Sequence, residues 1–313
     1  MVFYLVTGGC GFIGSHLADG LVADGHRVRI LDDLSTGKRE NAPAAAETVI
    51  GDVADAAVAR AAMDGVDGCF HLAAVASVAR ANEDWAATHR VNLTGAINIF
   101  DAARSVRAGA PVPVVYVSSA AVYGDNDAVP LAEDAATQPL TAYGADKLGC
   151  ELHARVAHAV HGVPVVGFRF FNIFGPRQDP SSPYSGVISI FIDRIGAGGV
   201  IDIHGDGEQV RDFVYVRDAV RFLRRGMDRR KGSPRVYNVC TGNAISVNAL
   251  AALLCKVAGR TVEIRHVEAR LGDIRISIGD GARAAGELDI RPETPIEAGL
   301  ADTVKALLGE LAR

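Results

Sequence analysis

Tyr143-Gly144-Ala145-Asp146-Lys147 sets a phenol and an ammonium four residues apart, on one face of a helix and one turn from each other. A free phenol, with a pKa of about 10, is a poor base at neutral pH, and a neighbouring cation favours the phenolate. Such a pair can take the proton of an alcohol while hydride leaves the same carbon. The 7 tyrosines and 5 lysines among 313 positions would produce about 0.1 such spacings by chance, so the pair gains its weight from its company. Ser119, in Val117-Ser118-Ser119-Ala120-Ala121-Val122-Tyr123-Gly124, stands where a fifth strand should end. It could donate a hydrogen bond to the reacting oxygen, or serve as a capping or turn serine.

A hydride needs an acceptor, and the N-terminal segment offers a place for one. Thr7-Gly8-Gly9-Cys10-Gly11-Phe12-Ile13-Gly14 follows a first strand and opens a helix. Gly8, Gly11 and Gly14 would let the backbone, with Phe12 and Ile13, turn close to a pyrophosphate at the amide end of that helix. Asp32, followed by Asp33, closes a second strand 18 residues beyond Gly14, where a carboxylate meets the adenosine ribose and repels a 2'-phosphate. NAD is favoured over NADP, although Lys38 and Arg39 lie in the loop beyond. Asp52-Val53 could meet the adenine, Asp52 being equally suited to a turn or a helix cap. Leu72-Ala73-Ala74 could let a dinucleotide cross the sheet edge, or simply pack tightly.

These residues need elements to hold them. Short β-branched runs alternate with alanine-rich stretches, the pattern of βαβ units in a doubly wound, mainly parallel α/β sheet. Strands are expected at Phe3 to Thr7, Arg27 to Leu31, Thr48 to Gly51, Gly68 to Leu72, Pro113 to Ser118 and Val165 to Phe170. Two long helices, about Trp85 to Arg107 and Ala142 to His161, carry more apolar positions than one sheet-facing side needs. Their surplus faces suggest a homodimer. After about residue 175 the chain turns to Gly/Pro/Asp/Ser-rich segments with shorter elements. A cofactor domain over 1–175 and a smaller mixed α/β substrate-binding portion over 176–313 are expected, the boundary being approximate and the chain free to cross back, with a shared cleft.

Composition bounds the function classes. With 49% hydrophobic and 22% charged residues the chain should fold throughout. A net charge of -5, with the basic run from Arg224 to Lys231 reading as a solvated helix end, argues against nucleic acid. The five scattered cysteines suit free thiols in a reducing compartment. No apolar run approaches the roughly 18 residues of a membrane span. A cytoplasmic protein is expected.

Together the glycine loop, Asp32, Asn92, Ser119, Tyr143 and Lys147 resemble the extended short-chain dehydrogenase/reductase family, and within it the nucleotide-sugar epimerases. The resemblance continues through Arg169-Phe170-Phe171-Asn172, Gly175-Pro176, Gly205-Asp206-Gly207-Glu208-Gln209-Val210-Arg211-Asp212-Phe213 and Arg270-Leu271-Gly272-Asp273. It implies a Rossmann-type cofactor domain, tightly held NAD, and inversion at C4 of a UDP-hexose through a transient 4-keto sugar. Tyr143 would take the C4 hydroxyl proton, and Asn92 would join the cofactor residues. Asn172, Val187, Arg211, Arg270, Asp273 and Ser277 would hold the UDP-sugar, with Ser119 at the sugar. Two guanidiniums also suit a diphosphate on electrostatic grounds.

The same resemblance separates the branches. Dehydratases of the family carry an Asp-Glu pair after the serine, and Ala120 and Ala121 cannot do that acid-base work. Where related epimerases accept N-acetylated sugars, the position of Ser277 tends to be small; a tyrosine there would collide with the acetamido group. Arg177-Gln178-Asp179-Pro180 looks like that branch too, while Ser277 is also an ordinary strand-end residue. UDP-glucuronate epimerases are the nearest alternative, and a catalytically silent NAD-binding regulator is the alternative of another class. No metal site is expected, because His153, His158 and His161 lack ligand spacing.

Overall fold

The computed structural model describes residues 1–106, 110–180, 186–229, 234–269 and 273–311. The strands are β1 Phe3–Thr7, β2 Arg27–Asp32, β3 Glu47–Ile50, β4 Gly68–His71, β5 Val114–Ser119, β6 Val165–Phe170 and β7 Asn172–Phe174, then β8 Ile201–His204, β9 Val210–Tyr215, β10 Arg235–Val239, β11 Ala244–Ser246, β12 Ile264–Val267 and β13 Ile276–Ser277. The helices are α1 Phe12–Ala23, α2 Ala56–Met63, α3 Val78–Glu83, α4 Trp85–His89, α5 Gly95–Ala103 and α6 Ala142–His161, then α7 Val187–Ala197, α8 Val216–Asp228, α9 Val247–Ala258, α10 Ala282–Leu288 and α11 Ile296–Leu311.

Seven strands form one sheet in the order β10-β6-β5-β4-β1-β2-β3. The pairings of β1 with β2 and β4, of β2 with β3 and of β4 with β5 are all parallel. Every residue of β1, β4 and β6 is buried, as strands covered by helices on both faces must be. Leu5, Leu31, Phe100, Val114 and Tyr116 belong to one continuous core. The strand order reverses between β1 and β4, and that switch point at the carboxyl ends of the strands is where open α/β sheets bind ligands. The expected fold class is the observed one: a doubly wound, mainly parallel Rossmann-type sheet.

The chain forms two compact units, each assembled from three segments. The first is Met1–Gly124, Thr137–Arg169 and Val220–Tyr237; the second is Asp125–Ala136, Phe170–Ala219 and Asn238–Arg313. They therefore divide the chain differently from a single cut after residue 175. In the second unit β9 is central, pairing with β11, β13 and β7, while β8 pairs with β12.

The expected strands appear, two with the expected ends and four with one or both ends shifted by a residue, and α6 has the expected bounds. The helix expected from Trp85 to Arg107 differs. It is broken into α4, a π-helical turn over Arg90–Thr94 and α5, ending at Ala103, while Arg107 lies outside the described residues. A π turn inserts one extra residue into the helix and commonly marks a site where a side chain is needed. Here it carries Asn92, 1% exposed.

Candidate active site

The glycine loop begins where β1 ends. Gly8 N–H donates to Leu31 O at 2.8 Å, Gly11 N–H to Gly8 O at 3.2 Å and Ser15 N–H to Gly11 O at 3.1 Å. Helix α1 starts after Gly11 with no side chain capping it, whereas Asp55, Ser77, Thr141 and Ser246 close α2, α3, α6 and α9. Free amides of the Phe12–Ile13–Gly14 turn are what a pyrophosphate requires. Asp32 is buried at the end of β2, Oδ2 accepting from Cys10 N–H and Oδ1 from Leu34 N–H, each at 2.9 Å. Burial raises its carboxyl pKa, and those two amides oppose the rise. One backbone bond per oxygen leaves acceptor capacity for two ribose hydroxyls. The loop and Asp32 fit NAD.

The other expected cofactor residues divide. Asp33 is exposed and binds its own loop through Ser35 N–H and Oγ–H, at 2.9 and 2.6 Å. Asp52 accepts from Ala54 N–H at 2.8 Å and pairs with Arg90 at 2.7 Å, so its turn-forming role is real. Val53 turns its side chain into the core. Asn92 accepts from Val75 N–H at 2.7 Å and donates to Val75 O at 3.2 Å; its amide thus holds the segment that carries Leu72, Ala73 and Ala74.

Thr7 and His71 have no counterpart in the sequence reading. Thr7 Oγ1 accepts from Leu72 N–H and Ala73 N–H, both at 3.1 Å, and lies 2.8 Å from His71 Nδ1. With two donors already on that oxygen, its own proton is the one that meets Nδ1, which leaves His71 neutral with the proton on Nε2. Burial, and then the charge of Lys147, push His71 down to about 3, consistent with that assignment. A threonine ending a first strand and a histidine ending a fourth are the sequence signal; only the sheet order makes them neighbours.

Tyr143 and Lys147 lie on α6, whose first turn is capped by Thr141 accepting from Gly144 N–H at 3.1 Å. Lys147 is buried, donates to Val117 O at 3.0 Å and has its ammonium 5.8 Å from the centre of the Tyr143 ring. Ser119 ends β5, and its Oγ accepts from Ala121 N–H at 3.1 Å. A hydroxyl accepting that bond keeps its own proton to donate. The capping reading and the donor reading of Ser119 are therefore compatible. Ala120 and Ala121 form the turn immediately beyond.

In the second unit Arg211 on β9 binds Asp273 at 2.5 Å and stands in register with Ser277 on β13. Burial pulls the Arg211 guanidinium down and Asp273 pushes it back. Asn172, on β7, pairs with Phe213 of the same β9. Val187 opens α7. Arg270 lies outside the described residues. His153 and His161 are exposed and His158 contacts Val163 O; among the described residues no group of His, Cys, Asp and Glu could hold a metal ion.

An uncapped glycine loop, a buried carboxylate at the end of β2 and a Ser/Tyr/Lys set lie on one doubly wound sheet, an arrangement that fits an NAD-dependent enzyme. The profile of the NAD dependent epimerase/dehydratase family matches residues 4–240, and the chain belongs to that family. It is an NAD-dependent epimerase. A UDP-glucose 4-epimerase of Mycolicibacterium smegmatis is 36% identical over 308 residues, covering 96% of this chain and 97% of that protein. The structure of a UDP-glucose 4-epimerase from Thermotoga maritima with UDP-glucose superposes with a TM-score of 0.93 at 34% identity, covering 99% of both chains. A UDP-N-acetylglucosamine 4-epimerase from Methanobrevibacter ruminantium, in complex with UDP-N-acetylmuramic acid, matches equally, at 0.93, 34% and 99% of both. The Thermus thermophilus UDP-glucose 4-epimerase complexed with NAD reaches 0.89 at 31% identity, over 98% of this chain and 99% of that one.

Proposed function

We propose that the chain interconverts C4 epimers of a UDP-hexose, the first unit binding NAD and the second the UDP-sugar. The reading rests on one observation: no acid-base pair follows Ser119, where Ala120 and Ala121 fill the turn. Such a site can move one proton at one carbon and return it, but cannot expel water from C5 and C6. NAD held by the glycine loop and Asp32 would supply a reversible hydride acceptor for C4. Tyr143 holds and returns the C4 hydroxyl proton, Ser119 donates to that oxygen, and Lys147 supplies the buried cation near the phenol. Asn172, Val187, Arg211, Arg270 and Asp273 hold the uridine diphosphate. Incubation with UDP-glucose, UDP-N-acetylglucosamine and UDP-glucuronate separately, with the C4 epimers resolved, tests the reading; no inversion of any of them would end it.

Ser277 extends the reading to N-acetylated sugars. It stands in register with Arg211 and is a small residue on a two-residue strand, which leaves volume for an acetamido group at C2. UDP-N-acetylglucosamine and UDP-N-acetylgalactosamine are then interconverted as well as the unacetylated pair. Ser277→Tyr should lower kcat/KM for the acetylated pair by roughly 10-fold or more while sparing UDP-glucose. Equal loss on both pairs would show that Ser277 does not set the pocket.

The protein acts as a cytoplasmic homodimer. All five cysteines are free, and among the described residues no helix is long and apolar enough to cross a membrane. On α6, Leu152, Val156 and Val160 are exposed at four-residue spacing, an apolar stripe left largely open to solvent among the described residues. A second copy presenting the same stripe is the self-complementary occupant. Val156→Glu should give a folded monomer in sedimentation velocity; an unchanged species would remove α6 from the interface.

A further inference from the structure

Tyr143 and Lys147 continue for another turn of α6 to Glu151, at i, i+4 and i+8 on one face. Glu151 is buried, and its carboxylate accepts three hydrogen bonds. Oε1 accepts from Ser118 Oγ–H at 2.6 Å and from Arg169 Nε–H at 2.9 Å, while Oε2 accepts a second guanidinium N–H at 2.7 Å. The side chains of Arg169 and Glu151 are 7% and 6% exposed. Arg169 also lies over the ring of Tyr123, 4.7 Å from its centre. Ser118 and Tyr123 are both fully buried. They flank Ser119, one residue before it and four after.

The same helix face grips this segment at two further points. Lys147 holds Val117 O at 3.0 Å. Gly144, beside Tyr143, comes so close to the turn after Ser119 that a Cβ there would lie 2.6 Å from Ala121 O. Residues 117 to 123 are thus fastened to α6 by Gly144, Lys147 and Glu151 in successive turns. A bidentate guanidinium–carboxylate pair is directional and tolerates little sliding. Buried ion pairs seldom add net stability, since apolar residues of similar volume often do as well or better. Register is the property they do supply. Both Glu151 oxygens are occupied by donors from within the first unit.

We propose that Glu151, with Arg169 and Ser118, is a positioning network that sets the Tyr143 hydroxyl against the Ser119 hydroxyl. The inference rests on the roles given to Ser119 and Tyr143 under the proposed function. Misplacement of reacting groups by about 1 Å can cost on the order of 100-fold in rate, so the network should show in kcat rather than in binding.

The test compares Ser118→Ala, and the double variant Glu151→Leu with Arg169→Met, with the wild type. Melting temperature, kcat, KM and amide hydrogen exchange over residues 117–124 are measured on each. The double variant should melt close to the wild type, with kcat down on the order of 100-fold, KM within about 3-fold and faster exchange in that segment. Ser118→Ala, which leaves the ion pair in place, should lose about 10-fold in kcat with KM and melting temperature nearly unchanged. A double variant with wild-type kcat or wild-type exchange overturns the proposal. So does wild-type kcat in Ser118→Ala, which decides the matter if the double variant fails to fold. A wild type inactive on every UDP-hexose would refute the functional reading instead, and the exchange measurement would still decide whether the network orders 117–124.

Discussion

Tyr143→Phe should fold, retain NAD and turn over at least about 100-fold more slowly than the wild type. The phenylalanine keeps the ring beside Lys147 and the first turn of α6, whose cap is Thr141 rather than any part of the tyrosine. What it removes is one oxygen, the group proposed to hold the C4 proton. A 100-fold loss corresponds to about 2.7 kcal/mol of transition-state stabilisation. Because the lost interaction belongs to the transition state, kcat should fall with little change in KM. Steady-state kinetics, with cofactor content of the purified variant as the control, reads the result. Turnover near the wild type with NAD still bound would exclude Tyr143 as the acid-base group.

Gly14→Ala should abolish retention of NAD through gel filtration. An ideal Cβ at Gly14 would lie 2.1 Å from Gly8 O and 2.9 Å from Gly9 Cα. Both are backbone atoms of the loop itself, so no side chain can swing aside; the loop must open, and the Phe12–Ile13–Gly14 amides must move with it. Gly20 on the same helix is the matched control. Its nearest neighbour to an added Cβ is the Arg224 guanidinium at 3.7 Å, and glycine inside a helix is less favourable than alanine by about 1 kcal/mol. Gly20→Ala should therefore keep its cofactor and melt slightly higher. Cofactor released on denaturation, measured by absorbance, distinguishes the two. Normal retention by Gly14→Ala would mean that the loop does not hold the pyrophosphate.

Much of this was legible because it depends on short separations. The helix repeat puts Tyr143 and Lys147 on one face whatever else the chain does, and the glycine spacing requires a tight turn wherever it follows a strand. Alternation of strand and helix patterns implied the doubly wound sheet, and Asp32 at the end of β2 followed from counting along it. Other assignments depended on partners far away in the chain. Asp52 forms its turn through Ala54 N–H on one oxygen while Arg90, on the π turn, pairs with the other, a partner that its own stretch of sequence does not point to. Asn92 proved to hold Val75 with its amide, which no pattern around residue 92 announces.

The sequence by itself determined the class of fold and the cofactor, and it singled out the Ser119, Tyr143 and Lys147 set proposed for the chemistry, because each is written in residue type and local periodicity. Only the tertiary structure decided what holds that set in place. Thr7 and His71 are 64 residues apart and Ser118 and Glu151 are 33 apart; they meet because parallel crossovers bring distant strand ends and helix faces together. A glutamate in a helix reads as a solvated charge, since burying it alone would cost several kcal/mol. Its burial became affordable when β6 delivered Arg169 and β5 delivered Ser118 to the same point, a convergence that exists only in three dimensions.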